Sequence, residues 1–87
     1  MTNEIARDLR KYIREFEDRK ITGAILCREI FHAACEVNGE TEAPLRRALE
    51  MLGNRIMALA EERKTGPSPA ALKIVDEVES HLIDWGY

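Results

Sequence analysis

The chain has 87 residues, with 13 lysines and arginines against 16 aspartates and glutamates, so its formal net charge at pH 7 is -3. Apolar residues make up 45% and charged residues 33% of the sequence, a balance that is typical of a globular domain and excludes a disordered acidic tail. The length allows one small domain, residues 1–87, and no run of about 18 apolar residues offers a membrane span. Because no basic-then-apolar leader opens the sequence, we expect a cytoplasmic protein.

Helical periodicity first occurs between Asn3 and Arg19, where apolar side chains recur every three to four residues. This stripe consists of Ile5, Leu9, Tyr12, Ile13 and Phe16. A very short connection, Lys20-Ile21, leads to the next helix, so the two helices must lie side by side in antiparallel orientation.

The second helix, within residues 21–37, has Thr22 as its predicted N-cap and ends at Asn38-Gly39. Its main apolar stripe consists of Leu26, Ile30, Ala33, Ala34 and Val37. A second apolar stripe, about 100° further round the helix, consists of Ala24, Cys27, Phe31 and Cys35. A helix this apolar either packs centrally in its own fold or binds a partner, and the sequence leaves both alternatives open.

The third helix is predicted from near Thr41 to about Arg63, with Pro44 in its first turn. Its stripe consists of Leu45, Ala48, Leu49, Leu52, Ile56, Leu59 and Ala60. Gly53 lies near the edge of this stripe, where either the close approach of a neighbouring backbone or simple tolerance would explain a glycine.

The fourth helix is predicted from Pro69, with Ser68 as its N-cap, to about Asp84. Its core positions are Ala71, Val75, Val78, Leu82 and Trp85, and Leu72 and Ile83 form a smaller second stripe. Four amphipathic helices with short connections predict an all-α, up-down-up-down four-helix bundle. The alternative is a three-helix core with one peripheral helix.

Charged residues are grouped by helix. In the first helix a basic ridge occupies positions i, i+3, i+4 and i+7, and it consists of Arg7, Arg10, Lys11 and Arg14. In the fourth helix an acidic face consists of Asp76, Glu77 and Glu79. The simplest interpretation is complementary charge between neighbouring helices, together with i,i+4 pairs such as Lys11–Glu15 and Arg14–Asp18.

Motifs for catalysis or metal binding are incomplete in this sequence. Glu29 and His32 match one E-x-x-H unit of a di-iron bundle, but Val78 stands where a glutamate would precede His81 in a second unit. His32 and Cys35 would supply two of the four ligands of a structural zinc site. The glycines fit no phosphate-binding loop. We therefore predict no metal, no cofactor and no enzymatic activity.

The leading functional prediction is a non-enzymatic helical protein that acts through protein–protein interaction. It would self-associate or dock a partner through the second helix, with the fourth helix contributing. Phe31 is the expected anchor because large aromatic side chains dominate many interfaces. The predicted contact residues are Ala24, Cys27, Phe31, Cys35, Leu72 and Ile83.

Two further functions are open. The turn Lys20-Ile21-Thr22 between amphipathic helices resembles that of small bacterial immunity proteins of the colicin type. That resemblance keeps open an acidic inhibitor that occludes a basic partner, such as a nuclease toxin, through its acidic face. The third function is weak nucleic-acid binding by the basic ridge, against which the negative net charge and the lack of interleaved aromatic residues argue.

Overall fold

A computed structural model describes residues 2–62 and 66–87, and in these ranges it contains four α-helices and no strand. The helices are α1 (Thr2–Glu17), α2 (Gly23–Glu36), α3 (Ala43–Glu61) and α4 (Pro69–Asp84). Each helix packs on the next along the chain, and α4 returns to touch α1 in the least packed of the four seams. The predicted all-α four-helix fold is confirmed. The predicted end of the third helix at Arg63 lies outside the described residues.

Side-chain caps start two helices where the sequence predicts them. The hydroxyl of Thr22 accepts a hydrogen bond from the Ile25 backbone N–H at 3.4 Å, and the hydroxyl of Ser68 accepts one from the Ala71 N–H at 3.2 Å. Both bonds satisfy backbone donors that the first turn of a helix leaves without an internal partner. Both predicted N-caps are confirmed.

Backbone hydrogen bonds end α1 two residues earlier than predicted. Arg19 adopts a left-handed conformation with φ +62°. Its N–H donates to the Phe16 carbonyl at 3.0 Å, and the Lys20 N–H donates to the Glu15 carbonyl at 2.8 Å. This paired arrangement closes a helix C-terminus and turns the chain away from the helix axis.

The turn between α2 and α3 delays the start of α3 to Ala43. The side-chain oxygen of Asn38 accepts hydrogen bonds from the backbone N–H groups of Glu40 at 2.9 Å and Thr41 at 3.3 Å. Because asparagine oxygens compete in this way with helix formation, Thr41 stays in the turn and Glu42 becomes the residue before the helix.

The core lies between the helices and is built mainly from the predicted stripes. Ala6, Gly53 and Ile74 are also buried, although the sequence did not place them in the core. Conversely, the predicted stripe residues Ile5, Tyr12, Leu59 and Trp85 are half-buried and pack against the edge of the core.

Contacts between neighbouring helices show which residues share a level along the bundle. Phe31 of α2 lies against Gly53 of α3, and Gly39 lies against Arg46, so α2 and α3 are antiparallel. Two other contacts, Arg55 with Glu77 and Glu42 with Tyr87, show the same relation between α3 and α4.

Candidate protein-interaction surface

The second apolar stripe of α2 lies largely at the contact with α3. Cys27 is only 8% exposed, and Phe31 is half-buried with its ring against Gly53. Cys27 thus packs inside its own chain and offers almost no surface to a partner. Ala24 and Cys35 are exposed, so the surface that this stripe leaves on α2 consists of these two small side chains and the outer part of Phe31.

A single line of side chains on α4 combines apolar and acidic residues. The line, which we call the α4 stripe, follows spacings of 4, 3 and 4 residues and consists of Leu72, Asp76, Glu79 and Ile83. Asp76 is exposed, while Leu72 and Glu79 are half-buried. Ile83 is 66% exposed, more than the other large apolar residues on the described surface, Met51 at 53% and Met57 at 39%.

The predicted acidic face is divided between two edges of α4. Glu77 lies on the edge that meets α3, where its carboxylate is 2.5 Å from Nη1 of Arg55. This ion pair joins a basic side chain of α3 to an acidic side chain of α4, as the interpretation of complementary charge between neighbouring helices predicts. Asp76 and Glu79, by contrast, belong to the α4 stripe, which faces away from α3.

The basic ridge of α1 remains open to solvent. Arg7, Lys11 and Arg14 are exposed and Arg10 is half-buried. Together with neighbouring charged residues they line a shallow groove of about 390 Å³. Arg7 lies 3.8 Å from the carboxylate of Asp8.

The i,i+4 pairs expected along this ridge do not form. Among the described residues, Arg10, Lys11 and Arg14 take part in no ion pair, so Lys11–Glu15 and Arg14–Asp18 are absent. Exposed pairs of this kind stabilise a helix by only a few tenths of a kcal/mol, about as much as ordering two long side chains costs. Three of the four ridge residues therefore have no carboxylate partner in the described parts of the chain.

Helix geometry brings the ridge and the α4 stripe to the same side of the bundle. On α1, Asp8 and Tyr12 mark the edge toward α2, because they line a groove shared with α2, and Arg10 and Arg14 lie on the other edge, toward α4. On α4, Glu77 marks the edge toward α3, and the stripe lies on the edge toward α1. We call the surface formed by the ridge and the stripe the α1–α4 face.

Two features of this surface were missed from the sequence. Arg55 was not recognised as the partner of Glu77, because its position opposite α4 depends on the packing of two helices. The alignment of Leu72, Asp76, Glu79 and Ile83 was present as a spacing, but these residues were assigned to two separate surfaces.

The groove between α1 and α2 collects acidic side chains around His32. It measures about 140 Å³, and Asp8, Glu29, His32 and Glu36 contribute to its lining. Nδ1 of His32 lies 4.0 Å from a carboxylate oxygen of Glu29. Over residues 2–62 and 66–87, no three His, Cys, Asp or Glu side chains are arranged to hold a metal ion.

No helix in the described parts of the chain has the length and apolar character needed to cross a bilayer. Comparison with protein-family models, with curated proteins and with solved structures finds no significant match.

Proposed function

We propose that this chain is a non-enzymatic helical protein that acts by binding another protein through its α1–α4 face. The observation that carries the proposal is the position of Ile83. This residue is 66% exposed and lies in one stripe with Asp76 and Glu79, beside a basic ridge whose Arg10, Lys11 and Arg14 form no ion pair among the described residues.

An apolar residue surrounded by charged groups has the composition of a small docking site. Apolar side chains supply the free energy of association when they leave water, and charged groups around them set the orientation and rate of docking. Ile83 would be the apolar anchor at one end of the α4 stripe, and the half-buried Leu72 would extend the contact at the other end.

Docking through α2 has less support than docking through the α1–α4 face. Cys27 is buried, and the ring of Phe31 is held against Gly53. A partner on α2 would meet Ala24, Cys35 and the outer part of Phe31, a smaller apolar area than a central anchor provides.

The acidic-inhibitor function is supported by the exposed carboxylate of Asp76 beside Ile83. A uniformly basic partner would, however, also meet the basic ridge, and like charges across an interface are unfavourable. A nucleic acid on the ridge would meet the carboxylates of the α4 stripe for the same reason. The mixed charge therefore favours a protein partner that carries both signs.

A photo-crosslinking amino acid placed at position 83 tests the proposal in cells that naturally produce the chain. We expect discrete crosslinked products from position 83 and none from position 51, the matched control on α3, where Met51 is also exposed. The products should disappear when Asp76→Lys and Glu79→Lys are added. Equal products from both positions, products that survive the charge reversal, or no products would contradict the proposal.

A further inference from the structure

We infer that the partner of the α1–α4 face is a second copy of this chain, related by a two-fold axis that runs along the seam between α1 and α4. The inference rests on the proposed function, because it names the occupant of the same surface. The occupant must present acidic groups opposite α1 and basic groups opposite α4, and this chain carries both.

A two-fold axis parallel to the helices produces this match. It places α1 of one protomer opposite α4 of the partner, and α4 of the first opposite α1 of the partner. Both contacts are then identical, as in every isologous dimer. The basic ridge meets the α4 stripe twice, and no like-charged stripes are brought together.

The basic residues of α1 and the acidic residues of α4 lie at matching positions along the bundle axis. Tyr12 and Glu29 line one groove between α1 and α2, and Phe31 packs against Gly53 between α2 and α3. Because α2 and α3 are antiparallel, Glu29, two residues before Phe31, lies at the same position along the bundle axis as Arg55, two residues after Gly53. The Arg55–Glu77 ion pair extends this relation to α4, so Tyr12 and Glu77 lie at similar positions along the bundle axis.

Counting residues along the antiparallel helices α1 and α4 from Tyr12 and Glu77 identifies which charged residues face each other across the dimer. Arg10 is two residues before Tyr12, and Glu79 is two residues after Glu77, so Arg10 comes opposite the partner's Glu79. By the same count Arg14 comes within one residue of the partner's Asp76. Two pairs on each side of the axis therefore give four ion pairs in the dimer.

The same contact would bury the apolar residues at the two ends of the α4 stripe. Ile83 and Leu72 lie beyond the two carboxylates, one toward each end of the helix, and α1 of the second copy would cover them. Within one chain α1 and α4 touch only lightly, and among the described residues no ion pair involves Arg10, Arg14, Asp76 or Glu79. The charges are therefore free to pair between chains.

The size of the long face is close to the area that a stable dimer buries on each partner. The protein measures 35 × 20 × 18 Å, so its long face covers roughly 700 Å². Stable interfaces bury about 800 Å² on each partner. Side chains that project from the surface give the face a larger accessible area than its flat projection. A dimer also removes surface from water in a chain whose small size limits what it buries alone.

Two charge-reversal variants of the full chain test the arrangement. The ridge-reversed variant carries Arg10→Glu and Arg14→Glu, and the stripe-reversed variant carries Asp76→Lys and Glu79→Lys. Sedimentation equilibrium should give the unaltered protein twice its monomer mass of 9.9 kDa. Each variant alone should dissociate with an affinity weakened by about tenfold or more, because all four ion pairs become repulsive.

An equimolar mixture of the two variants gives the decisive result. In a mixed dimer the reversed ridge meets the reversed stripe, and the unaltered ridge meets the unaltered stripe, so we expect heterodimers to form. Charges that act only within a chain would leave the mixture monomeric, and that result would overturn the inference. A control with the same change of charge on other faces, Arg28→Glu with Arg47→Glu, should remain dimeric.

Apolar contact is tested separately from charge. Ile83→Asp should dissociate the dimer, whereas Met51→Asp should not, and circular dichroism should show unchanged helicity because both residues are exposed. An unaltered protein that stays monomeric up to about 100 μM would exclude even a micromolar dimer and overturn the inference. If position 83 then still crosslinks to a different protein in a charge-dependent manner, the proposed function stands without the dimer.

Discussion

Gly53 on α3 lies so close to Phe31 on α2 that a Cβ atom at position 53 would stand 3.2 Å from Cε1 and from Cζ of the ring. The same atom would stand 3.3 Å from Cγ2 of Ile30, which is fully buried. Carbon atoms in favourable contact are about 3.5–4.0 Å apart. The missing side chain at position 53 therefore sets how closely α2 and α3 approach.

Gly53→Ala should lower the free energy of unfolding by about 1 kcal/mol. Alanine improves helix propensity by about 1 kcal/mol, but crowding of a packed core costs about 1–3 kcal/mol. In a Phe31→Ala background the ring is absent and only the contact with Ile30 remains, so the same substitution should be clearly less destabilising than in the unaltered protein. Urea unfolding followed by circular dichroism measures both values.

Asn54→Ala is the matched control for this pair, because position 54 is exposed on the same helix. It should raise stability by a few tenths of a kcal/mol through helix propensity alone. If Gly53→Ala stabilised the unaltered protein, the contact with Phe31 would be loose and the explanation for the glycine would fail.

The position of the second apolar stripe of α2 in the structure shows what the sequence could and could not predict. Periodicity identified four helices, and residues such as Thr22 and Ser68 marked where two of them start, because capping is a local interaction. The stripe with Cys27 and Phe31 was also visible. Which neighbour covers it depends on the space that Gly53 leaves on another helix, and a pattern within one helix does not contain that information.

Arg19→Gly should raise the free energy of unfolding by about 1 kcal/mol. Arg19 holds φ +62° at the end of α1, a conformation that costs an L-residue with a side chain about 1–2 kcal/mol and costs glycine little. The greater freedom of glycine in the unfolded chain offsets part of the gain. Thermal and urea unfolding check the value.

Lys20→Gly provides the control, since Lys20 is the next residue and does not have a positive φ. That substitution should lower stability by about 0.5–1 kcal/mol through backbone entropy alone. A loss of stability in Arg19→Gly would mean that the arginine side chain contributes more than its backbone strain costs.

The last residue of the chain is joined to the start of α3, and Tyr87→Phe should disrupt this link. The Tyr87 hydroxyl donates a hydrogen bond to a carboxylate oxygen of Glu42, which is 9% exposed. Hydrogen bonds to charged groups contribute about 1.5–3 kcal/mol, so the variant should lose stability in that range. Tyr12→Phe, in a half-buried tyrosine on α1, should lose less than about 0.5 kcal/mol. Equal losses would contradict the role of the link.

The charged surfaces show a second limit of the sequence. The basic ridge was recognisable from its spacing, because all its residues lie on one helix. The acidic face was predicted as one unit, yet Glu77 pairs with Arg55 while Asp76 and Glu79 lie on the other edge of α4. Adjacent residues of a helix differ by about 100° in direction, so the separation of Glu77 from the other two was present in the spacing, whereas its pairing with Arg55 depends on which helix packs beside α4.

The two cysteines should differ strongly in reactivity. Both are free, with Cys27 buried and Cys35 exposed, and they lie roughly 12 Å apart along α2. A thiol reagent should label Cys35 at once and Cys27 only when the chain opens, because the thiolate must be both accessible and ionised. Mass spectrometry of partly labelled protein distinguishes the two sites. Equal labelling rates would show that the α2–α3 contact around Cys27 opens readily.

Stability should also depend on the ionisation of Cys27. Burial raises the pKa of this thiol from its ordinary value of 9.0, although the nearby Arg28 opposes the shift. The folded chain then retains the proton more strongly than the unfolded chain, so the stabilisation is complete below pH 9.0 and is lost as the pH rises through the folded pKa. Cys27→Ala should show a smaller fall in the free energy of unfolding above that pH. Identical falls in the two proteins, measured by urea unfolding, would mean that the thiol does not ionise differently on folding.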